Sequence, residues 1–285
     1  MNHLLCLRAA ILLALLPGLS ALPARGQDFH GMGSYSEDFL FVTGVSRDGS
    51  VLIGFIRDEG FMHAAFRWTE TGGLELLGVP AGSSGAIAYA ASRDGSTVVG
   101  TSYVPSGDEG DPDEVAFVWT EAGGIRALGR FPYPDSYGYD SDAVAVSADG
   151  SVVGGHISFF YSDRSEHWAN DVIWNAGSGG VEEVLEGCFQ HMKMSADASI
   201  VVCPFYGELE EGGPYGRGVR RWNRNSGGQD VIWAKSDGYQ HVFAISADGS
   251  TLVGYEGNPG PNGTIVEAVR WTEETGPVFL GYPSG

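Results

Sequence analysis

The sequence predicts an all-β chain built as a five-bladed β-propeller, and three observations carry that prediction. Glycine supplies 44 of 285 residues, about twice ordinary usage, and an excess of the residue that weakens helix interiors but suits tight turns marks a turn-dense β protein. A Ser-x-Asp-x-Ser signature occurs five times, beginning at Ser46, Ser92, Ser147, Ser195 and Ser246. Tryptophan recurs with the same period, at Trp68, Trp119, Trp174, Trp222 and Trp271. Two anchors of unrelated chemistry that share a period of about 50 residues define an internal repeat, and the repeat decides the fold before any single motif does.

Each repeat divides into four short strands bounded by turn chemistry. Strand one is the apolar alternating stretch that runs into the signature at Val45, Ala91, Val146, Met194 and Ile245. In the signature, Asp caps backbone N–H groups and the following Gly (Gly49, Gly95, Gly150, Gly249) takes the left-handed position, which joins strands one and two as a bulged hairpin. Strand two is a β-branched run ending in glycine, as in Ile53-Gly54, Val99-Gly100, Val153-Gly154 and Val253-Gly254. A variable loop leads to strand three, centred on the tryptophan. Gly72-Gly73, Gly123-Gly124 or Gly276 then turns the chain into strand four, which ends in Leu77-Gly78, Leu128-Gly129 or Leu280-Gly281. Four antiparallel strands per unit, repeated radially so that neighbouring units cover each other's faces, make a propeller. The repeats fall at about 35–80, 81–131, 132–187, 188–236 and 237–285, a single domain after the first 26 residues. A straight solenoid is the alternative, but its terminal repeats diverge into polar caps, whereas the first and fifth copies here are among the most regular.

Residues 1–26 are set apart as a signal peptide. Met1 to Arg8 form a short n-region, Ala9 to Leu16 an apolar run too short to span a bilayer, and small residues offer cleavage after Ala21 or before Gln27. Cys6 sits at the start of the apolar run, the wrong end for a lipoprotein signal. The whole chain carries 16 basic and 36 acidic residues, a charge of -20; losing Arg8 and Arg25 leaves 14 basic residues and a charge of -22. Such a surface repels phosphate backbones and anionic headgroups, which excludes nucleic acid and membrane insertion of the mature chain as expectations. The expected location is secreted: extracellular, cell-surface or periplasmic. The expected oligomeric state is a monomer.

The repeat resembles the HAF family of extracellular repeats, whose units combine an Ala-Phe-x-Trp-Thr strand with a Ser-x-Asp-Gly-Ser turn and a terminal Leu-Gly. The resemblance rests on Ala65-Phe66-Arg67-Trp68-Thr69, Ala116-Phe117-Val118-Trp119-Thr120 and Ala268-Val269-Arg270-Trp271-Thr272, and covers about residues 40–281. It implies an exported propeller-like protein and brings no catalytic residue with it.

The repeated Asp and Trp are assigned to turns and packing, because a residue found in every copy solves the same local problem each time. The seven histidines show no His-x-x-x-His spacing, and no Gly-x-Ser-x-Gly elbow occurs. Calcium is a candidate cofactor only in the acidic stretches Asp108 to Glu114 and Asp135 to Asp142, where oxygen-rich turns suit a hard cation. Neither stretch has the spacing of a recognised calcium loop. Cys188 and Cys203 invite a disulfide in an exported protein. A straight hairpin argues against it: with Ser195 opposite Ser199, Cys203 faces His191, about 10 Å along the strand from Cys188.

Repeat four breaks the pattern. Ala198 replaces the turn glycine, Cys203 replaces the glycine that ends strand two, and Lys193 replaces the small residue found two places before the serine (Gly44, Ala90, Ala145, Ala244). That position is expected to face the propeller axis, where a long cation needs room and an acidic partner. Lys193 and His191, with the Arg217, Arg220, Arg221 and Arg224 cluster of the same repeat, form the candidate ligand site, suited to an anionic partner such as an acidic polysaccharide or a surface protein. The expected function is that of a non-catalytic binding or structural module. The competing class is a carbohydrate-active enzyme, recognisable by two or three carboxylates converging at the axis.

Overall fold

The computed structural model describes residues 39–57, 63–105, 112–129, 138–160, 167–188, 192–208, 215–235, 238–260 and 263–281. The leader, Asp108 to Asp111, Asp135 and His191 lie outside the described residues. Residues 32–285 form one compact unit.

Every repeat folds as its own four-stranded antiparallel sheet with strands in sequence order. The first sheet comprises β1 (Phe39–Val45), β2 (Val51–Arg57), β3 (His63–Thr69) and β4 (Gly73–Leu76). The second comprises β5 (Gly85–Ala91), β6 (Thr97–Val104), β7 (Asp113–Thr120) and β8 (Gly124–Ala127). The third comprises β9 (Gly138–Val146), β10 (Val152–Phe160), β11 (His167–Asn175) and β12 (Val181–Leu185). The fourth comprises β13 (Lys193–Met194), β14 (Ile200–Glu208), β15 (Tyr215–Asn223) and β16 (Gly228–Lys235). The fifth comprises β17 (Tyr239–Ile245), β18 (Thr251–Gly260), β19 (Gly263–Thr272) and β20 (Gly276–Phe279). The chain is a five-bladed propeller, each blade one repeat.

The signature makes the same turn five times. In the first copy, Asp48 Oδ1 accepts from Ser46 Oγ at 2.8 Å, Ser50 N at 2.9 Å and Ser50 Oγ at 2.6 Å, while Ser46 Oγ accepts from Val51 N at 2.9 Å. These hydrogen bonds hold the turn carboxylates low, those of Asp94, Asp197 and Asp248 at about 2. Each turn also donates to the next: Asp48 N to Arg93 O, Arg93 N to Ala148 O, Ala148 N to Ala196 O and Ala196 N to Ala247 O, at 2.7–3.1 Å. The turn that shapes a blade therefore also spaces the blades.

Four apolar clusters fill the four interfaces between successive blades. In the first, Ile53 and Ala65 pack with Ala86, Ala88 and Trp119. Among the described residues, no such cluster joins the fifth blade to the first and no strand is exchanged between those two sheets. There Val42 and Phe243 stay 49% and 59% exposed, and nothing lies within 4 Å of a Cβ built on Gly49. At the packed interfaces the turn glycine meets the preceding blade: a Cβ on Gly95, at φ +69, would sit 2.5 Å from Val51.

Strand one of blades one, two, three and five carries a β-bulge at Thr43, Tyr89, Val144 and Phe243. The bulge pushes a carbonyl against strand two, so a Cβ on Gly54, Gly100, Gly155 or Gly254 would overlap the oxygen of Phe41, Ile87, Asp142 or His241. In the third repeat this residue is Gly155, one place beyond the glycine the sequence alignment selects. Blade four carries Cys203 there and cannot follow the same path. Its strand one keeps two ladder pairs, Lys193 with Val202 and Met194 with Val201.

This departure corrects the expectation against a disulfide. Beyond Lys193 the chain rejoins the sheet at a bridge between Cys188 and Phe205, so five residues on one side match three on the other. The two extra residues slide Cys188 back toward Cys203, the Cα atoms lie 5.5 Å apart, and the two cysteines form a disulfide. The straight ladder assumed from Ser195 and Ser199 fails because a strand bearing Cys203 does not accept the bulge of its sisters.

Two outcomes follow for stability. Gly95→Ala should cost about 2–4 kcal/mol, left-handed strain plus overpacking against Val51, whereas Gly124→Ala, at φ +67 with nothing within 4 Å, should cost only about 1; urea midpoints of the two variants test the difference. Replacing both Cys188 and Cys203 with Ala, which opens a loop of sequence separation 15, should lower stability by up to about 3 kcal/mol in the same assay.

Candidate functional site

The first strands of all five blades converge on an axial depression of about 250 Å³. Gly44, Ala90, Ala145, Lys193 and Ala244, the equivalent positions of the five repeats, all line it, together with Tyr89 and Phe243 at bulge positions. The only charged groups among the described lining residues are Arg47 and Lys193, both cations. Arg47 Nη2 reaches across the axis to Met194 O at 3.4 Å, and Lys193 Nζ donates to Met192 O at 3.3 Å. Burial pushes the Lys193 ammonium below its ordinary value, and Asp171 opposes that shift.

Behind Lys193, between blades three and four, lies a buried polar row. His156 on β10 stands directly opposite Asp142 on β9 and Asp171 on β11. Asp171 is fully buried and His156 is 4% exposed. His156 Nδ1 lies 3.2 Å from Asp171 Oδ1, so a proton on Nδ1 is donated to that carboxylate, while Nε2 has no hydrogen-bond partner among the described residues. Asp171 also sits within 4.8 Å of the sulfurs of Cys188 and Cys203. The Asp142 carboxyl is pushed up to about 6, chiefly by burial; His156 pulls it down, while Asp171, Glu114 and Asp140 add to the rise. Asp140 accepts from Glu114 N at 2.8 Å, and Ser141 Oγ from Ala116 N at 2.9 Å, which ties the row to blade two. A carboxyl that titrates near neutrality beside an aspartate–imidazole pair is equipped to hold or move a proton.

The four arginines do not gather around Lys193. Arg217, Arg220 and Arg221 lie on β15, the third strand out, and Arg224 just past its end; Arg217 and Arg221 turn toward blade five, Arg220 and Arg224 toward blade three. Arg221 pairs with Asp230 and Glu273 and covers Trp271, as Arg67 in blade one pairs with Glu75 and Glu121 and covers Trp119. Arg224 pairs with Glu182 and Glu183. Arg220 donates to Glu186 O and stacks over Phe205. Only Arg217 has no ion pair or hydrogen bond among the described residues. The placement of His191 lies outside the described residues.

Sequence reasoning missed Arg47, His156 and Asp171, and named Asp142 only as the end of an acidic stretch suited to calcium. One signal was present: the strand-one position that holds Phe41 and Ile87 in blades one and two holds Asp142 in blade three. The rest of the row depends on cross-strand register.

No family model and no curated protein matches the sequence. Solved structures do match. A protein assigned as TolB from Agrobacterium tumefaciens aligns over 86% of this chain and 81% of its own, with a TM-score of 0.53 and 14% identity. TolB from Acinetobacter baumannii aligns over 87% of this chain, with a TM-score of 0.50 and 15% identity, and this chain spans 55% of that protein. The β-propeller domain of the Trilobed protease from Pyrococcus furiosus, described as having an open velcro topology, aligns over 85% of this chain and 71% of its own, at a TM-score of 0.51 and 10% identity. At these identities the likeness establishes the propeller fold. No helix among the described residues is long and apolar enough to cross a membrane.

Since the folded-state value of Asp142 lies above its ordinary 3.8, the fold favours the protonated form. Its contribution is present below about pH 4 and lost as pH rises through about 6. Asp142→Asn should raise stability at pH 7 by about 2–3 kcal/mol and give no gain at pH 4, read from thermal midpoints across that range.

Proposed function

We propose that the chain is an exported, non-catalytic binding module of the HAF type whose axial depression takes an anionic ligand, of which an acidic polysaccharide is the class tested first. The supporting observation is the pair of cations at the axis: Arg47 and Lys193 carry the only charges among the described lining residues, in a chain whose formal charge is -20. A cation kept at a position where four sister repeats hold Gly or Ala carries a desolvation cost that a purely structural axis would shed. Low-dielectric walls on either side focus the field of the two groups onto whatever enters. Tyr89 and Phe243 add apolar faces to the same depression. Export rests on the leader, and calcium at Asp108 to Glu114 and Asp135 to Asp142 rests on the sequence alone, since the described ends of these stretches are strand residues of β7 and β9 and not turns.

A second reading, a carbohydrate-active enzyme, is favoured by one observation: Asp142, at about 6, is coupled to Asp171, Glu114 and Asp140. A protonated carboxyl among ionised ones is the arrangement of a glycosidic general acid. None of these carboxylates is among the described residues that line the axial depression. Release of reducing ends from acidic or neutral polysaccharides, abolished by Asp142→Asn, would establish this reading over the first.

The binding reading is tested on an array of acidic and neutral glycans. Acidic glycans should be retained, with affinity falling as salt rises, and Lys193→Ala or Arg47→Ala should weaken retention about tenfold while the fold persists. Retention of neutral glycans alone, or acidic-glycan affinity unchanged in both variants, would refute the axial anion site.

A further inference from the structure

A second built site lies away from the axis, between blades four and five. Here β17 meets β14 and β15 around a cavity of about 360 Å³, lined by Tyr206, Arg217, Gln240 and His241 among others. That volume falls in the range of small-molecule pockets. Gln240 is 6% exposed, yet neither its amide nitrogen nor its amide oxygen finds a hydrogen bond among the described residues. Buried amides are nearly always satisfied, since an unmet donor or acceptor carries its full desolvation cost.

The surroundings explain why nothing in the fold answers Gln240. Its cross-strand partner is Glu256. That carboxylate is already taken, by Trp233 Nε1 at 2.9 Å and Lys235 Nζ at 3.2 Å, and Lys235 is fixed in turn by Asn258 at 2.6 Å. The floor is therefore polar, with the amide nitrogen and the amide oxygen of Gln240 left over. Opposite it, on the blade-four side, Tyr206 pairs in the ladder with Arg217. Tyr206 and Tyr215 are 58% and 62% exposed, with ring centroids 6.3 Å apart. Of the four arginines of this repeat, Arg217 is the one with no ion pair or hydrogen bond among the described residues.

We propose that this cavity is a saccharide subsite for a uronate-containing glycan, distinct from the axial site and independent of the axial reading. A primary amide offers a donor and an acceptor side by side, which matches two neighbouring hydroxyls of a pyranose. Exposed tyrosines offer flat apolar faces with a polar edge, suited to the C–H face of a sugar ring. The guanidinium of Arg217 takes a carboxylate through two parallel hydrogen bonds, which selects a uronate over a neutral hexose.

The experiment titrates trigalacturonate, maltotriose and a hexaglutamate peptide calorimetrically into the Lys193→Ala protein, so that the axial site is weakened throughout. Trigalacturonate should bind at least tenfold more tightly than either comparison ligand. Adding Gln240→Leu should cut that affinity at least tenfold while the thermal midpoint stays level or rises, because an unmet buried amide has been removed. Arg217→Ala and Tyr206→Ala, both at exposed positions, should each cut it at least threefold, and they keep the test alive if Gln240→Leu fails to fold. Trigalacturonate affinity unchanged by Gln240→Leu, or unchanged by both exposed variants, would overturn the subsite. No binding of trigalacturonate, or tighter binding of the peptide, would overturn it too. Binding lost in Lys193→Ala alone leaves the axial reading standing and removes this one.

Discussion

The fold depends on one carboxylate oxygen in each turn. Asp48 Oδ1 takes three hydrogen bonds from two serines, and its equivalents in the other four repeats do the same. The first serine answers by accepting from the backbone at the start of strand two, so the hairpin register is fixed before any packing occurs. A fixed register places the next residue of each turn within reach of its neighbour, and four backbone hydrogen bonds then step from blade to blade. The glycine that follows sits against the preceding blade, where Gly95 meets Val51, Gly150 meets Thr97 and Gly249 meets Ile200. Turn chemistry and blade spacing are thus one constraint. Where it is not met, between blades five and one, the described apolar side chains remain exposed.

Repeat four shows what happens when one term of that constraint changes. Cys203 stands where the bulged strand requires glycine, so strand one of this blade loses its bulge and most of its ladder. The freed segment brings Cys188 to Cys203, and the covalent link takes over the connection that the ladder makes elsewhere. Ala198 holds φ 57 in the turn, the one described non-glycine residue in that region, and is fully buried among the residues packed around the disulfide. These substitutions form a set. Each is strained or costly alone, and together they close the interface with blade three.

How much of this was legible follows the distance over which each feature is determined. Five turns and five tryptophan strands were readable because both are local: the Asp, its serines and the glycine lie within five residues. Strand alternation separates Arg217 and Arg221 from Arg220 and Arg224, so four cations close together in the sequence form two groups on opposite faces of blade four. The row Asp142, His156, Asp171 spans three strands, and its adjacency exists only once two ladders are in register. Gln240 is conspicuous for the bonds it lacks, a property no pattern of residue types encodes. The disulfide was hidden behind a sound local rule, the straight hairpin, which a single Cβ at Cys203 displaces.

Polar chemistry gathers on blades three to five for a reason the packing supplies. Blades one and two meet through Ile53, Ala65, Ala86, Ala88 and Trp119, and the ion pair between them, Arg67 with Glu121, lies over Trp119 with Glu121 exposed. Blade four meets its neighbours differently on its two faces. Toward blade three it presents the disulfide and Lys193 to Asp171 and His156, and toward blade five it presents Tyr206 and Arg217 to Gln240. The first face belongs to the β13–β14 pair that the missing bulge has shortened, the second to the regular β14–β15 ladder. A repeat array conserves its packing wherever each copy must match the next, so a copy stapled by a covalent bond can depart from the pattern without losing its neighbours. The Cys188–Cys203 link holds blade four to blade three where the ladder is short, and a buried amide left without a hydrogen bond, as at Gln240 on the opposite face, is where a ligand gains the most by binding.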